Sequence, residues 1–146
     1  MKRFQKGFTL LEILLVLAII AILAAVVIVA INPTKQLNTT RDAQRASDIS
    51  TIASGIGLGI VDGKTKPTVT ATTEATAQDI CKKAQVCTGG VILDTVTVDS
   101  LPQGVPFDPT ASTTTTTGYK IYTTATESAY TIVATKSDGT TISITK

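Results

Sequence analysis

"KRFQKGFTLLEILLVLAIIAILAAVVIVAI", residues 2 to 31, decides how the rest of the chain is read. From Phe8 to Ile31 it holds one charge, Glu12, and no Pro or Gly. As a helix this run extends roughly 36 Å at ~1.5 Å per residue, against a bilayer hydrocarbon core of about 30 Å. Lys2, Arg3 and Lys6 precede it, an asymmetry that predicts a cytoplasmic N-terminus and a translocated remainder. A core helix of a soluble protein is the competing reading. Nothing else in the chain could bury an all-round apolar helix of this length. The segment nevertheless keeps a carboxylate close to its start, and that charge needs an explanation.

The 146 residues suit one modest domain plus an accessory segment. Net charge is +2, but without the three leading cations the balance is 10 basic to 11 acidic residues. No basic domain exists to form an electrostatic footprint for nucleic acid. His and Trp are absent. Without His, the Ser-His and Cys-His pairings of nucleophilic catalysis are impossible and the commonest metal ligand is missing. No catalytic constellation, metal set or cofactor motif is visible, so the expectation is a non-enzyme. Beyond residue 31 the chain is rich in Thr, with a run from Thr113 to Thr117. Such a segment can build only a small core, which needs a disulfide, a helix to pack on, or neighbouring subunits.

"INPTKQLNTTRDAQRASDISTIASGIGLGIVDG" follows. Pro33 predicts a kink or local opening. Leu37, Ala46, Ile49, Ile52, Ala53, Ile56 and Ile60 recur at three- and four-residue steps, which predicts an amphipathic helix. Asp48 falls near Arg41 and Arg45, pairs expected on a solvated face. Gly55, Gly57, Gly59 and Gly63 are expected to loosen the helix end. Their resemblance to a nucleotide-binding loop is superficial, because no strand precedes them and no helix follows.

"KTKPTVTATTEATAQDI" reads as a Thr-rich loop or ragged strand, and Val91 to Val98 as a short strand. "LPQGVPFDPTASTTTTTG" is turn and loop chemistry. "GYKIYTT", "AYTIVAT" and "TTISITK" alternate apolar and polar residues and predict three antiparallel strands. "ATES" separates the first two, and a tight Asp138-Gly139 turn joins the last two. Tyr119, Ile121, Tyr130, Ile132, Ile142 and Ile144 are candidates for the helix-facing side. Asp108 and Asp138 occupy turn contexts in which Asp bonds its own backbone.

Cys81 and Cys87, in "CKKAQVC", are the only cysteines. On a continuous helix they would not meet, so a bridge requires a turn. Outside the cytoplasm a disulfide is the favoured state, with two free thiols as the alternative. The Thr run could carry O-linked sugar, though a solvated loop is the default. Asn38-Thr39-Thr40 formally matches an N-glycosylation sequon but is discounted so close to the apolar run.

The segment from Lys6 to Glu12, followed by its apolar run, resembles the N-terminus of type IV pilin precursors and their pseudopilin relatives. Gly7, Phe8, Thr9, Leu10, Leu11, Glu12 and Ile13 onward supply every part of that motif. The similarity extends through "RDAQRASDISTIASGI" and, in general plan, to a Tyr-containing C-terminal sheet. The resemblance implies cleavage after Gly7 by a membrane-embedded prepilin peptidase and N-methylation of Phe8. It implies storage in the cytoplasmic membrane, then extraction by an assembly platform into a homo-oligomeric filament with an apolar helical core. Glu12 would there meet the new N-terminus of a neighbour. Such helices loosen near a Pro, and Pro33 falls a little further along than the commonest position. The family's disulfide often closes a loop near the C-terminus; the pair here is earlier and its loop smaller.

The expected fold is α+β and pilin-like: leader 1–7, apolar helix 8–31, amphipathic helix 32–63, and a head over 64–146 with a three-stranded antiparallel sheet. The expected function is a structural subunit of an extracellular pilus-like filament. A pseudopilin of a type II secretion or DNA-uptake system is the alternative within the family. A secreted binding module, cut by an ordinary signal peptidase near Ala24-Ala25, is an alternative of another class, and a membrane-anchored enzyme a third.

Overall fold

The computed structural model describes residues 7–85, 87–97, 100–124 and 129–146. The basic leader, "ATES" and the end of the 91–98 strand expected from the sequence lie outside the described residues. The chain forms two compact units, one ending at Asn38 and one running from Thr39 to Lys146.

The first unit is dominated by α1, Leu10–Ile31. Its most apolar 18-residue window has a mean hydropathy of 3.5, and none of its residues is buried within the chain. The helix is long and apolar enough to cross a membrane. It stops at Asn32, which adopts a left-handed conformation (φ 46°, ψ 78°) that Asn tolerates better than most residues. Pro33 then opens α2, Pro33–Val61, at the helical position where its missing N–H costs nothing. Asn32 also caps this second helix: Lys35 N donates to its Oδ1 at 3.3 Å and Gln36 N to its carbonyl at 3.3 Å. The break is therefore a helix end followed by a helix start, centred on Asn32.

In the second unit, α2 buries Arg45, Asp48, Ile49, Ile52, Ala53 and Ile56. Leu37 and Ala46, expected on the dry face, are exposed. Arg45 and Asp48 take the buried places because each finds a polar partner in the head. The Gly cluster does not fray the helix, which runs to Val61. A Cβ on Gly59 would collide with the Val96 carbonyl oxygen, and one on Gly55 would sit 2.9 Å from Leu101 Cδ1. Both glycines admit close approach of the following loop. Gly63 (φ 75°) closes the helix with two bonds, Lys64 N to the Gly59 carbonyl at 2.9 Å and Gly63 N to the Ile60 carbonyl at 3.1 Å. This is the Schellman pattern that satisfies orphan carbonyls.

The sheet has four strands in the order β1-β2-β3-β4, all antiparallel: β1 Gln78–Cys81, β2 Thr116–Thr123, β3 Tyr130–Thr135 and β4 Thr141–Thr145. The three expected strands are β2 to β4. The fourth, β1, comes from the end of the stretch read as a Thr-rich loop or ragged strand. It is short and carries Gln and Asp, so alternation could not show it. It is held by pairing to β2 and by the Gln78 side chain, which accepts from Thr70 N at 2.7 Å and donates to the Gly89 carbonyl at 3.0 Å. Of the segment Val91 to Val98, the described part, residues 91–97, is not a strand. Val91 makes a single bridge to Ile80, and Asp94–Thr97 forms one helical turn, α3. Helical spacing buries both Leu93 and Val96, which alternation would have sent to opposite faces.

One core results, joining Ile49, Ile52 and Ile56 of α2 to Ile80, Leu93, Val96, Tyr119, Ile121, Tyr130 and Ile132. Ile142 and Ile144, on the edge strand, are partly buried against it. The β3–β4 turn places Ser137, Asp138 and Gly139 at its tip, with Lys136 N bonded to the Thr140 carbonyl at 2.7 Å and Gly139 at φ 85°.

Candidate processing and assembly site

Gly7 and Phe8 precede the helix. Both are exposed, and a Cβ on Gly7 would meet nothing within 4 Å. Thr9 is the N-cap, in extended conformation (φ −81°, ψ 148°). Its Oγ1 accepts from Glu12 N at 3.2 Å, and its carbonyl accepts from Glu12 N and Ile13 N. The Gly7–Phe8 bond is thus outside the regular helix, with one residue between it and the cap. Glu12 stands at the third helical position, exposed, as the one acidic residue in the first turn of α1. A carboxylate there complements the positive end of the helix dipole. Thr9 was not singled out by the sequence reading, although Thr-Leu-Leu-Glu ahead of an apolar run is the sequence form of a capping box.

Cys81 and Cys87 form a disulfide, with Cα atoms 5.8 Å apart. Cys81 ends β1 and is buried. The intervening turn puts Ala84 at φ 58°, and Ala84 N donates to Asp94 Oδ2 at 2.7 Å. Gly90 lies so close that a Cβ would strike the Cys87 sulfur. Among the described residues no three His, Cys, Asp or Glu side chains come together as a metal site. Pro33 lies at the junction of α1 and α2, remote in sequence from both the processing segment and the disulfide.

The polar side chains that shape the head were not foreseen. Arg45 reaches Asp108 (Nε–Oδ2 2.5 Å), Asp42 (2.7 Å), Thr110 and Ser137, tying α2 to the Pro-rich loop and to the β3–β4 turn. Burial pushes the Asp108 carboxyl up, but bonds from Arg45 and Thr110 outweigh it and hold the group below the ordinary range. Asp42 is also lowered, chiefly by the Ser137 backbone N–H. Asp48 pairs with neither Arg41 nor Arg45. It accepts from Tyr119 Oη at 2.6 Å and from Gln44 at 2.7 Å. The Tyr119 hydroxyl is pushed well above its usual range, by burial first and by the Asp48 bond second. Asp138 behaves as the sequence suggested: its carboxylate accepts from Thr140 N at 2.8 Å.

Residues 2–28 match the family model described as the prokaryotic N-terminal methylation motif. That match defines the class: the N-terminus is a prepilin-type signal. With the apolar helix and the antiparallel sheet behind it, the chain is similar in plan to type IV pilin and pseudopilin precursors. The match covers the motif and not the head. No curated protein and no solved structure matches the chain. The motif implies processing by a prepilin peptidase and assembly into a pilus-like system, and with the apolar helix it supports membrane anchoring before assembly.

Proposed function

We propose that the chain is a non-enzymatic structural subunit of an extracellular type IV pilus-like filament. Prepilin peptidase cuts it between Gly7 and Phe8, and Phe8 is N-methylated. The mature chain waits in the cytoplasmic membrane, is passed to an assembly platform, and joins copies of itself at the cell surface. The supporting observation is the conjunction at the N-terminus. The Gly7–Phe8 bond lies outside the helix, and the helix that follows buries none of its apolar residues within its own chain. Such a helix needs lipid or neighbouring helices around it.

The experiment is mass spectrometry of sheared surface filaments, with the N-terminus of the recovered chain read directly. Methyl-Phe8 in filament material supports the proposal. A start beyond residue 24 would assign an ordinary signal peptide and a secreted module. Gly7→Val should leave full-length precursor in the membrane, since a bulky side chain obstructs close approach to the backbone.

A further inference from the structure

Three glycines lie two residues apart in α2, and packing explains only two of them. Gly55 and Gly59 are pressed against Leu101 and the Val96 carbonyl. A Cβ on Gly57 would meet nothing within 4 Å. Glycine inside a helix is destabilising relative to alanine, so this position carries a cost that no contact demands. Gly57 falls one turn after Ala53 and one turn before Ile60, on the same face. Those three residues line a cavity of about 130 Å³, with Tyr130 and Ile132 across from them. Space of this order, when walled by aliphatic and aromatic side chains, accommodates a single benzene-sized ring. A side chain at position 57 would occupy it.

Two lysines stand at the mouth. Lys66 and Lys146 line it, both are exposed, and no carboxylate side chain lines the cavity. Neither lysine forms a salt bridge with an Asp or Glu among the described residues. An apolar body of ring size beneath two ammonium groups selects one chemical class. We propose that this cavity is a binding site for a small aromatic or branched aliphatic carboxylate. The apolar body fills the space that Gly57 leaves open, and the carboxylate rests between Lys66 and Lys146. A neutral ring forgoes the charge contacts, and a cation gains none from the two lysines. The proposal stands independently of filament assembly.

The test uses the full chain in a neutral detergent, titrated with 4-fluorobenzoate and followed by fluorine NMR against a detergent-only blank. Saturable binding is expected, with nuclear Overhauser contacts from the ring to the methyls of Ile60 and Ile132. Gly57→Leu should weaken it ~10-fold or more, because the leucine side chain would take up the space meant for the ring, and its Cβ meets nothing within 4 Å. Lys66→Gln should weaken it by about threefold, and 4-fluorobenzylamine should not compete. Absence of saturation, Overhauser contacts elsewhere, or wild-type affinity in Gly57→Leu would overturn the site. Equal binding of the amine would overturn the carboxylate assignment. The Overhauser measurement on the unaltered protein decides the matter even if the leucine variant folds poorly.

Discussion

The Arg45 guanidinium closes on the Asp108 carboxylate across 63 residues, Nε to Oδ2 at 2.5 Å and Nη2 to Oδ1 at 3.1 Å. Both residues are buried, so the pair resists solvent screening better than a surface ion pair. Every residue of the core cluster lies between Ile49 and Ala134, so residues 36–146 should fold as a soluble head without α1. In that fragment Asp108→Ala should cost about 3 kcal/mol in urea unfolding, because it leaves the buried guanidinium with only the more exposed Asp42 carboxylate as counter-charge. A double replacement, Arg45→Met with Asp108→Leu, should recover much of the loss. Equal stability of Asp108→Ala and wild type would remove the clasp from the account of the fold.

The same pair sets the acid limb of stability. Asp108 and Asp42 are both held below the ordinary carboxylate range. The unfolded chain then binds more protons as pH falls. Their contribution is fully present above the unfolded value, about pH 4, and is lost as pH drops through the folded values. Asp108→Asn should flatten this limb in an acid titration of the head followed by circular dichroism.

Tyr119→Phe should cost about 2 kcal/mol, the scale of a hydrogen bond to a charged group. It removes the bond to Asp48 and leaves the ring in the core. The raised Tyr119 group also sets an alkaline limb. Stability is fully present below the unfolded tyrosine value, about pH 10, and is lost above it as the unfolded chain deprotonates first. The Phe variant should lack that part of the alkaline loss. An unchanged alkaline limb would assign the loss to other groups.

These polar pairs mark where the sequence stopped being readable. The apolar run, the Gly7-Phe8-Glu12 motif and strands β2 to β4 declare themselves by local composition and alternation. Arg45 does not, since i, i+3 spacing with Asp42 and i, i+4 spacing with Arg41 look the same whether a helix face is wet or dry. Its partner Asp108 lies 63 residues on, in a loop whose Pro and Gly suggest only turns. Strand β1 is likewise fixed by its neighbour. Its register opposite Lys120 and Ile121 is a tertiary fact that "QDIC" does not contain. Asn32 hid behind Pro33, because proline is the stronger local signal while Asn takes the left-handed conformation.

Two glycines of α2 should answer the same substitution with opposite signs. Gly59→Ala forces a methyl into the Val96 carbonyl and should destabilise the head by about 2 kcal/mol or more, since backbone must shift. Gly57→Ala meets open space and should stabilise by up to about 1 kcal/mol through helix propensity. Paired melts of the two variants check this, and equal shifts would contradict the packing described.

The Cys81–Cys87 bridge should be intact in protein recovered from outside the cytoplasm. The bridge closes a loop of six residue steps and should stabilise by roughly 2–3 kcal/mol. Intact mass before and after reduction measures it. Two thiols that alkylate freely without reductant would mean that the bond does not form.

Glu12 is expected to serve assembly and not insertion. It is exposed at the third position of α1, and its own N–H is already capped by Thr9. Within one chain its carboxylate contributes only a favourable interaction with the helix dipole, about 0.3–1 kcal/mol. Removing a charge from an apolar run eases entry into lipid. The isolated subunit therefore loses little in Glu12→Leu, and its membrane pool should persist. In a filament core the balance changes, because a lone carboxylate out of water is costly and the amine of a neighbouring Phe8 can offset that cost. Stranding that amine should cost ~3–5 kcal/mol at each contact, and repetition along the filament should abolish or greatly shorten it. Charge and not bulk is the cause, so Glu12→Gln should also fail, less completely if its amide finds a carbonyl. Immunoblots of membrane pool and sheared filament, with no wild-type copy present, make the measurement. Abundant filaments from Glu12→Leu would leave the carboxylate as a helix cap and nothing more.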